Sequence, residues 1–146
     1  MGSHVNRSRL LEFDAAPDRV RTLFTAEGER DWVVGWDPTH IWPTDGTPQE
    51  GAVFTTDHHG ETTTWCLAEL DYGAGRFRYV ATHVSRVTLV LVEVSASPVK
   101  PGHSQVRVTY SVVATDEDGE SMVARFDEHF DDMMSRWRAG ISAVLT

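Results

Sequence analysis

Tyr79, His83, Tyr110 and His129 are the polar rings whose spacing could set them around a small molecule. Tyr79 and His83 share parity with Phe77 and Ala81 in one alternating stretch. Tyr110 shares parity with Val106, Val108 and Val112 in another. Phenol and imidazole tips on an otherwise apolar inward face would orient a ligand through hydrogen bonds. The same rings also suit ordinary core filling, with each tip returned to solvent or backbone, and a bulge in either strand would turn them outward. His129 falls at the margin of the apolar face of a C-terminal helix, near Met122 and Met133. Such an imidazole either donates to a ligand carbonyl or acts as an acid or base near neutrality. The plainer reading is a half-exposed ring held by the Arg125 carbonyl or a surface acid. Phe126, Phe130, Met133, Met134 and Trp137 would floor a cavity, methionine being adaptable to irregular apolar shapes. Plain packing accounts for most of them equally well.

Other reactive types are less promising. Adjacent strand residues point to opposite faces, so His58 and His59 would not easily share an ion, and no third ligand is spaced near them. No HExxH run or cysteine pair is present, so a metal site is not expected. Asp127, Glu128, Asp131 and Asp132 read as a solvated helix face, with Asp127 alone near the apolar margin. Cys66 is the single cysteine, which excludes an intramolecular disulfide and suits a reducing cytoplasm. Gly73 and Gly75 belong to a hairpin turn and not to a phosphate loop. Trp32, Trp36 and Trp42 cluster after the first helices, as a rim over a pocket or as rings pinning an irregular segment, the latter reading suiting Trp42 better.

The elements that must position these groups follow from pattern. A first strand spans 5–13. Pro17 and Asp18 suit the first turn of a short helix, and a second short helix covers 27–33. Residues 36–43 are irregular or an edge strand, because proline is poorly tolerated inside a sheet. Strands follow at 52–57, 61–71, 76–83, 87–96 and 104–115, with glycine- and proline-rich turns between them. After Asp116-Glu117-Asp118-Gly119 the period becomes helical. Met122, Val123, Phe126, Phe130, Met133, Met134, Trp137, Ile141 and Val144 then share one face. Asp132 and Arg136 are spaced to pair on the other. An antiparallel sheet followed by one long amphipathic helix predicts an α+β fold in which the sheet grips the helix.

At 146 residues and 40% hydrophobic composition the chain suits one domain, residues 5–146, with 1–4 read as a cloning remnant or disordered start. A formal net charge of −9 argues against nucleic acid and against an anionic membrane surface. No apolar run approaches the ~20 residues of a membrane span, and no secretion signal is evident. The expected setting is therefore cytoplasmic.

Specific residues also carry a family resemblance. Ala15-Ala16-Pro17-Asp18-Arg19-Val20 resembles the A-P-x-x-V opening of the START-like superfamily, also called SRPBCC, the polyketide-cyclase/Bet v 1-like group. Trp32 and Trp36 resemble its tryptophans after the first helices, and Gly51-Ala52-Val53-Phe54 its G-x-V-F strand entry. Thr64-Trp65, Leu70-Asp71 and Phe77-Arg78-Tyr79 resemble its middle hairpin. Val108-Thr109-Tyr110, Gly119 and Trp137 resemble its last strand and helix. The resemblance implies a helix-grip fold, with an antiparallel sheet curved around a long C-terminal helix and two short helices after strand 1. It implies an apolar cavity in many members, and functions from lipid binding through aromatic polyketide cyclisation to chaperone stimulation.

The expected function is binding of an apolar lipid, polyketide or aromatic metabolite between sheet and helix. The candidate ligand-binding residues are Trp65, Tyr79, His83, Tyr110, Phe126, His129, Phe130, Met133 and Trp137. The alternatives are a cyclase/aromatase or dehydratase using the same cavity, with no catalytic residue assigned, and a chaperone-stimulating interaction module. No cofactor is expected, and a homodimer is compatible with all three.

Overall fold

The computed structural model describes residues 3–146. Met1 and Gly2 lie outside the described residues. Ser3 and His4 are already tied to the fold. The Ser3 carbonyl accepts from the Ala114 amide at 3.0 Å, its hydroxyl donates to Glu120 at 2.8 Å, and His4 opens the first strand.

The strands are β1 (His4–Phe13), β2 (Thr39–Trp42), β3 (Val53–His58), β4 (Glu61–Asp71), β5 (Arg76–His83), β6 (Arg86–Ala96) and β7 (Ser104–Ala114). They form one seven-stranded antiparallel sheet in the order β1-β7-β6-β5-β4-β3-β2. Strands β2 to β7 follow as neighbours, and β1 crosses to the far edge beside β7. Parity along β5 and β7 is as the alternation predicts: Phe77, Tyr79 and Ala81, and Val106, Val108, Tyr110 and Val112, are all buried. The register between β5 and β6 and between β6 and β7 is unbroken. The irregularity at Leu67/Glu69 lies in β4 and leaves that parity intact.

Helix α1 (Pro17–Val20) begins at the expected proline and passes into a 3-10 turn, Arg21–Phe24. The helix expected over 27–33 is a single 3-10 turn, Gly28–Asp31. Threonine hydroxyls help to end the segment before it. Thr22 donates to the Arg19 carbonyl at 2.7 Å and Thr25 to the Thr22 carbonyl at 3.2 Å, competing with continued helix bonding.

Helix α2 (Glu117–Leu145) starts earlier than the sequence suggests. Asp116 is its N-cap, accepting from the Gly119 amide at 3.1 Å and from the Ser85 hydroxyl at 3.1 Å. The acid-rich run that the pattern places ahead of the helix therefore forms its cap and first turn. Gly119 is tolerated inside it because a Cβ there would stand 2.0 Å from the Ser85 carbonyl oxygen. Val123, Phe130, Met134 and Ile141 are buried on the inner face; Met122, Phe126, Met133, Trp137 and Val144 are half-buried beside them. The helix lies across β1, β7 and β6. Arg7 anchors it to the edge strand through Asp127 at 2.9 Å and Asp131 at 3.2 Å, and Arg9 also pairs with Asp131. No described helix is long and apolar enough to cross a membrane.

Candidate functional site: a carboxyl in an aromatic cavity

Because α2 covers only one side of the sheet, the inner face of β3, β4 and β5 needs another cover. Irregular residues 23–36 supply it, and ring donors hold them in place. Tyr79 donates to the Phe24 carbonyl at 2.6 Å, the Trp32 indole to Leu23 at 2.8 Å and the Trp36 indole to Ala26 at 2.8 Å. Each satisfies a carbonyl that lacks a helical partner, which holds this segment over the sheet as a lid. On the outside, Arg30 bonds Glu27 at 2.9 Å and Asp37 at 2.6 Å, and His40 meets Glu27 at 2.6 Å.

Beneath this lid lies a cavity of about 20 Å³. The sheet contributes Phe54, Trp65, Tyr79, Val90, Val92 and Tyr110; α2 contributes Trp137; the lid contributes Phe24, Trp36 and Glu29. Phe54 stacks on Trp65 with centroids 6.1 Å apart, and Trp36 meets Trp65 edge-on at 5.6 Å. A second void of about 20 Å³ lies on the other side of Phe54 and Tyr79, toward His40, Trp42 and Leu67. A larger but shallow surface groove, about 500 Å³, runs between residues 30–36 and the end of α2 and shares Trp36 with the cavity.

Glu29 is the unexpected member. Residue 29 is half-buried, and its carboxyl oxygens keep solvent contact at the cavity wall. Burial alone holds that carboxyl well above its ordinary range, with no charge or hydrogen bond offsetting it. Gly28 makes the placement possible: a Cβ there would lie 2.0 Å from the Thr22 carbonyl oxygen, so the turn can press inward only with glycine before Glu29. The hydroxyl of Tyr110 likewise has no protein partner among the described residues. Burial raises it, and the negative charge of Glu29 raises it further. Tyr79 is raised for the same two reasons.

Of the residues expected at a ligand site, Trp65, Tyr79, Tyr110 and Trp137 line the cavity. Phe126 backs Tyr110 at 5.2 Å, and Phe130 is fully buried behind it at 6.1 Å. His83 faces inward at the end of β5, bonded to Glu61 at 2.8 Å. Met133 is half-buried on α2 and does not reach the lining. His129 is not brought to the cavity: its side chain is 64% exposed, 3.9 Å from Asp132. Asp127 points to Arg7 at the sheet edge, away from the cavity. Asp132 approaches His129, and no pair with Arg136 forms among the described residues. Trp42, expected to pin its segment, is 53% exposed and borders only the second void. Among the described residues, no three His, Cys, Asp or Glu side chains converge as a metal site.

The architecture is the Bet v 1-like, or START-like, helix-grip fold. Norcoclaurine synthase from Thalictrum flavum superposes with a TM-score of 0.70 at 12% identity, covering 99% of this chain and 87% of that one. Ara h 8.0201 superposes at 0.68 and 11% identity, covering 98% and 99%. DynU16, from the dynemicin biosynthetic locus, superposes at 0.63 and 14% identity, covering 92% of this chain and 46% of that one. Identities this low establish the fold and leave activity open. No family model matches the sequence, nor does any curated protein.

Proposed function

We propose that the protein binds a small, largely aromatic molecule between its sheet and α2, with the protonated Glu29 carboxyl and the Tyr110 hydroxyl as polar contacts. The observation that carries this is the carboxyl without a partner in an aromatic wall. Desolvation at that wall disfavours the charged carboxylate, a cost that an apolar residue at position 29 would avoid. A group kept at such a cost is a candidate for function. The likeness in fold to norcoclaurine synthase crystallised with dopamine and hydroxybenzaldehyde supports aromatic guests of one or two rings.

The cavity as it stands has room for about one water, whereas ligand pockets run from roughly 300 Å³ upward. Entry therefore requires the lid to shift. Trp36 and Trp65 are both half-buried at its margin, and rotation of Phe54 and Tyr79 would join the two voids. The test is a titration with 2-naphthol, read by tryptophan fluorescence, since Trp36, Trp65 and Trp137 line the cavity. Saturable quenching, a raised melting temperature and weaker binding by Glu29→Ala are expected. Absence of saturation up to the solubility limit would remove the proposal.

A second reading, an enzyme of cyclase or dehydratase type, is favoured by one observation. Desolvation favours the protonated form of Glu29, and Tyr110 lines the same cavity, an arrangement that suits a general acid delivering a proton to a carbonyl oxygen. Glu29→Gln would then retain binding of a carbonyl-bearing aromatic substrate and lose its turnover.

A further inference from the structure

His83 and Arg86 face each other across the β5–β6 turn as direct register partners. Both point inward: His83 continues the buried series Phe77, Tyr79, Ala81, and Arg86 continues Thr88, Val90, Val92. Each carries a buried nitrogen without a partner among the described residues, Nδ1 of His83 and Nε of Arg86. The His83 side chain is only 9% exposed, and its Nε2 is already committed to Glu61 at 2.8 Å.

Arg86 is the inward-facing arginine without an ion pair; Arg19, Arg107, Arg125, Arg136 and Arg138 also form none among the described residues, but they are exposed. Arg7, Arg9, Arg21, Arg30, Arg76 and Arg78 all reach carboxylates. Arg86 forms no ion pair among the described residues, although burial penalises its charge. Simple snorkelling would let the head group meet water while the stem packs. It does not account for an Nε–H that is covered and has no acceptor. Tyr110 links this pair to the cavity: it feels the charges of both Glu29 and Arg86. Val90, opposite Tyr110, lies four residues along β6 from Arg86, about 13 Å.

We infer that His83 and Arg86 form a carboxyl-binding subsite, so that the guest is an aromatic acid with its ring in the cavity and its carboxyl at the β5–β6 turn. One carboxyl oxygen accepts from Arg86 Nε–H, and the other shares a proton with His83 Nδ1. A monoanion matches the site better than a phosphate dianion, because Glu61 already sets a negative charge beside His83 and near Arg86. The ring placement rests on the cavity reading above; the charged contact does not.

The experiment compares 2-naphthoate, 2-naphthol and inorganic phosphate on the wild type and on Arg86→Met, by calorimetry and tryptophan fluorescence. Naphthoate is expected to bind at least tenfold more tightly than naphthol, and to lose at least tenfold in Arg86→Met while naphthol changes less than twofold. If naphthol fails but naphthoate binds and depends on Arg86, the subsite stands and the neutral-guest reading falls. Equal affinities for the two probes, equal losses in the variant, binding by neither, or preferential binding of phosphate would each overturn the subsite. If Arg86→Met does not fold, the wild-type Arg86 Nε–H resonance decides. It must shift with naphthoate and stay fixed with naphthol, and an unmoved resonance refutes the contact.

Discussion

Glu27 and Glu29 flank Gly28 at one tight turn and are driven in opposite directions. His40 bonding, aided by Arg30, holds Glu27 below its ordinary range, while desolvation holds Glu29 well above its own. The consequences for stability have opposite signs. Glu27 contributes stability above the unfolded carboxylate range that is lost as pH falls through its lowered folded value. Glu29 keeps its proton in the folded chain where the unfolded chain has released it, so stability falls as pH rises from the ordinary carboxylate range through the raised folded value. Glu29→Gln should abolish that decline. Its melting temperature should match the wild type near about pH 4 and exceed it at about pH 8, by ~2–4 °C for each kcal/mol relieved. Melts of both proteins across this range measure it, and parallel curves would show that the acid is not desolvated. Nothing in Glu27-Gly28-Glu29-Arg30-Asp31 announces this role. The run reads as solvated, and only the turn made possible by Gly28 decides which acid goes inside. By contrast, Tyr79 and Tyr110 were legible, since strand parity is a local property and their strands are regular.

The long helix shows where periodicity informs and where it stops. Its inner face could be read residue by residue, because a 3.6-residue period survives any tertiary context that buries one side. Its start could not, because Gly119 and the acids around it have turn composition, and the reason for a glycine there is the Ser85 carbonyl in the distant β5–β6 turn. Two magnitudes compete in Gly119→Ala. Alanine gains at most about 1 kcal/mol of helix propensity over glycine. Against that stands a Cβ placed 2.0 Å from backbone oxygen, which must push the helix off the β5–β6 turn. Overpacking of this kind costs about 1–3 kcal/mol, so the clash wins and the variant should melt lower by several degrees. A variant that melts higher, as propensity alone would have it, would show that the helix start does not rest on Ser85. The short helices teach the complementary lesson: Pro17 marked the first correctly, whereas the second is a single turn whose surroundings are held by ring-to-carbonyl bonds.

The molecule as a whole is lopsided, and that asymmetry sets how a guest could enter. The fully buried Phe130, Met134, Ile141, Val106, Val108 and Val112 lie where α2 crosses β7 and its neighbours. At the other end β2 is a short edge strand carrying Ile41 at 52% and Trp42 at 53% exposure. The lid beside it is fastened by ion pairs of partly exposed side chains, each contributing only about 0–1 kcal/mol. Local opening draws on the regions with fewest buried contacts. Amides of β2, β3 and residues 23–36 should therefore exchange with solvent through openings at least ~1.4 kcal/mol cheaper than those of β1, β6, β7 and α2, roughly tenfold faster or more. Saturating 2-naphthol should slow exchange selectively in residues 23–36, because a guest held by Glu29, Trp36 and Tyr110 closes the lid on itself. Hydrogen exchange followed by mass spectrometry, with and without the probe, resolves these segments. Uniform protection across the sheet, or slowing confined to α2 and β1, would mean that the lid is not the way in.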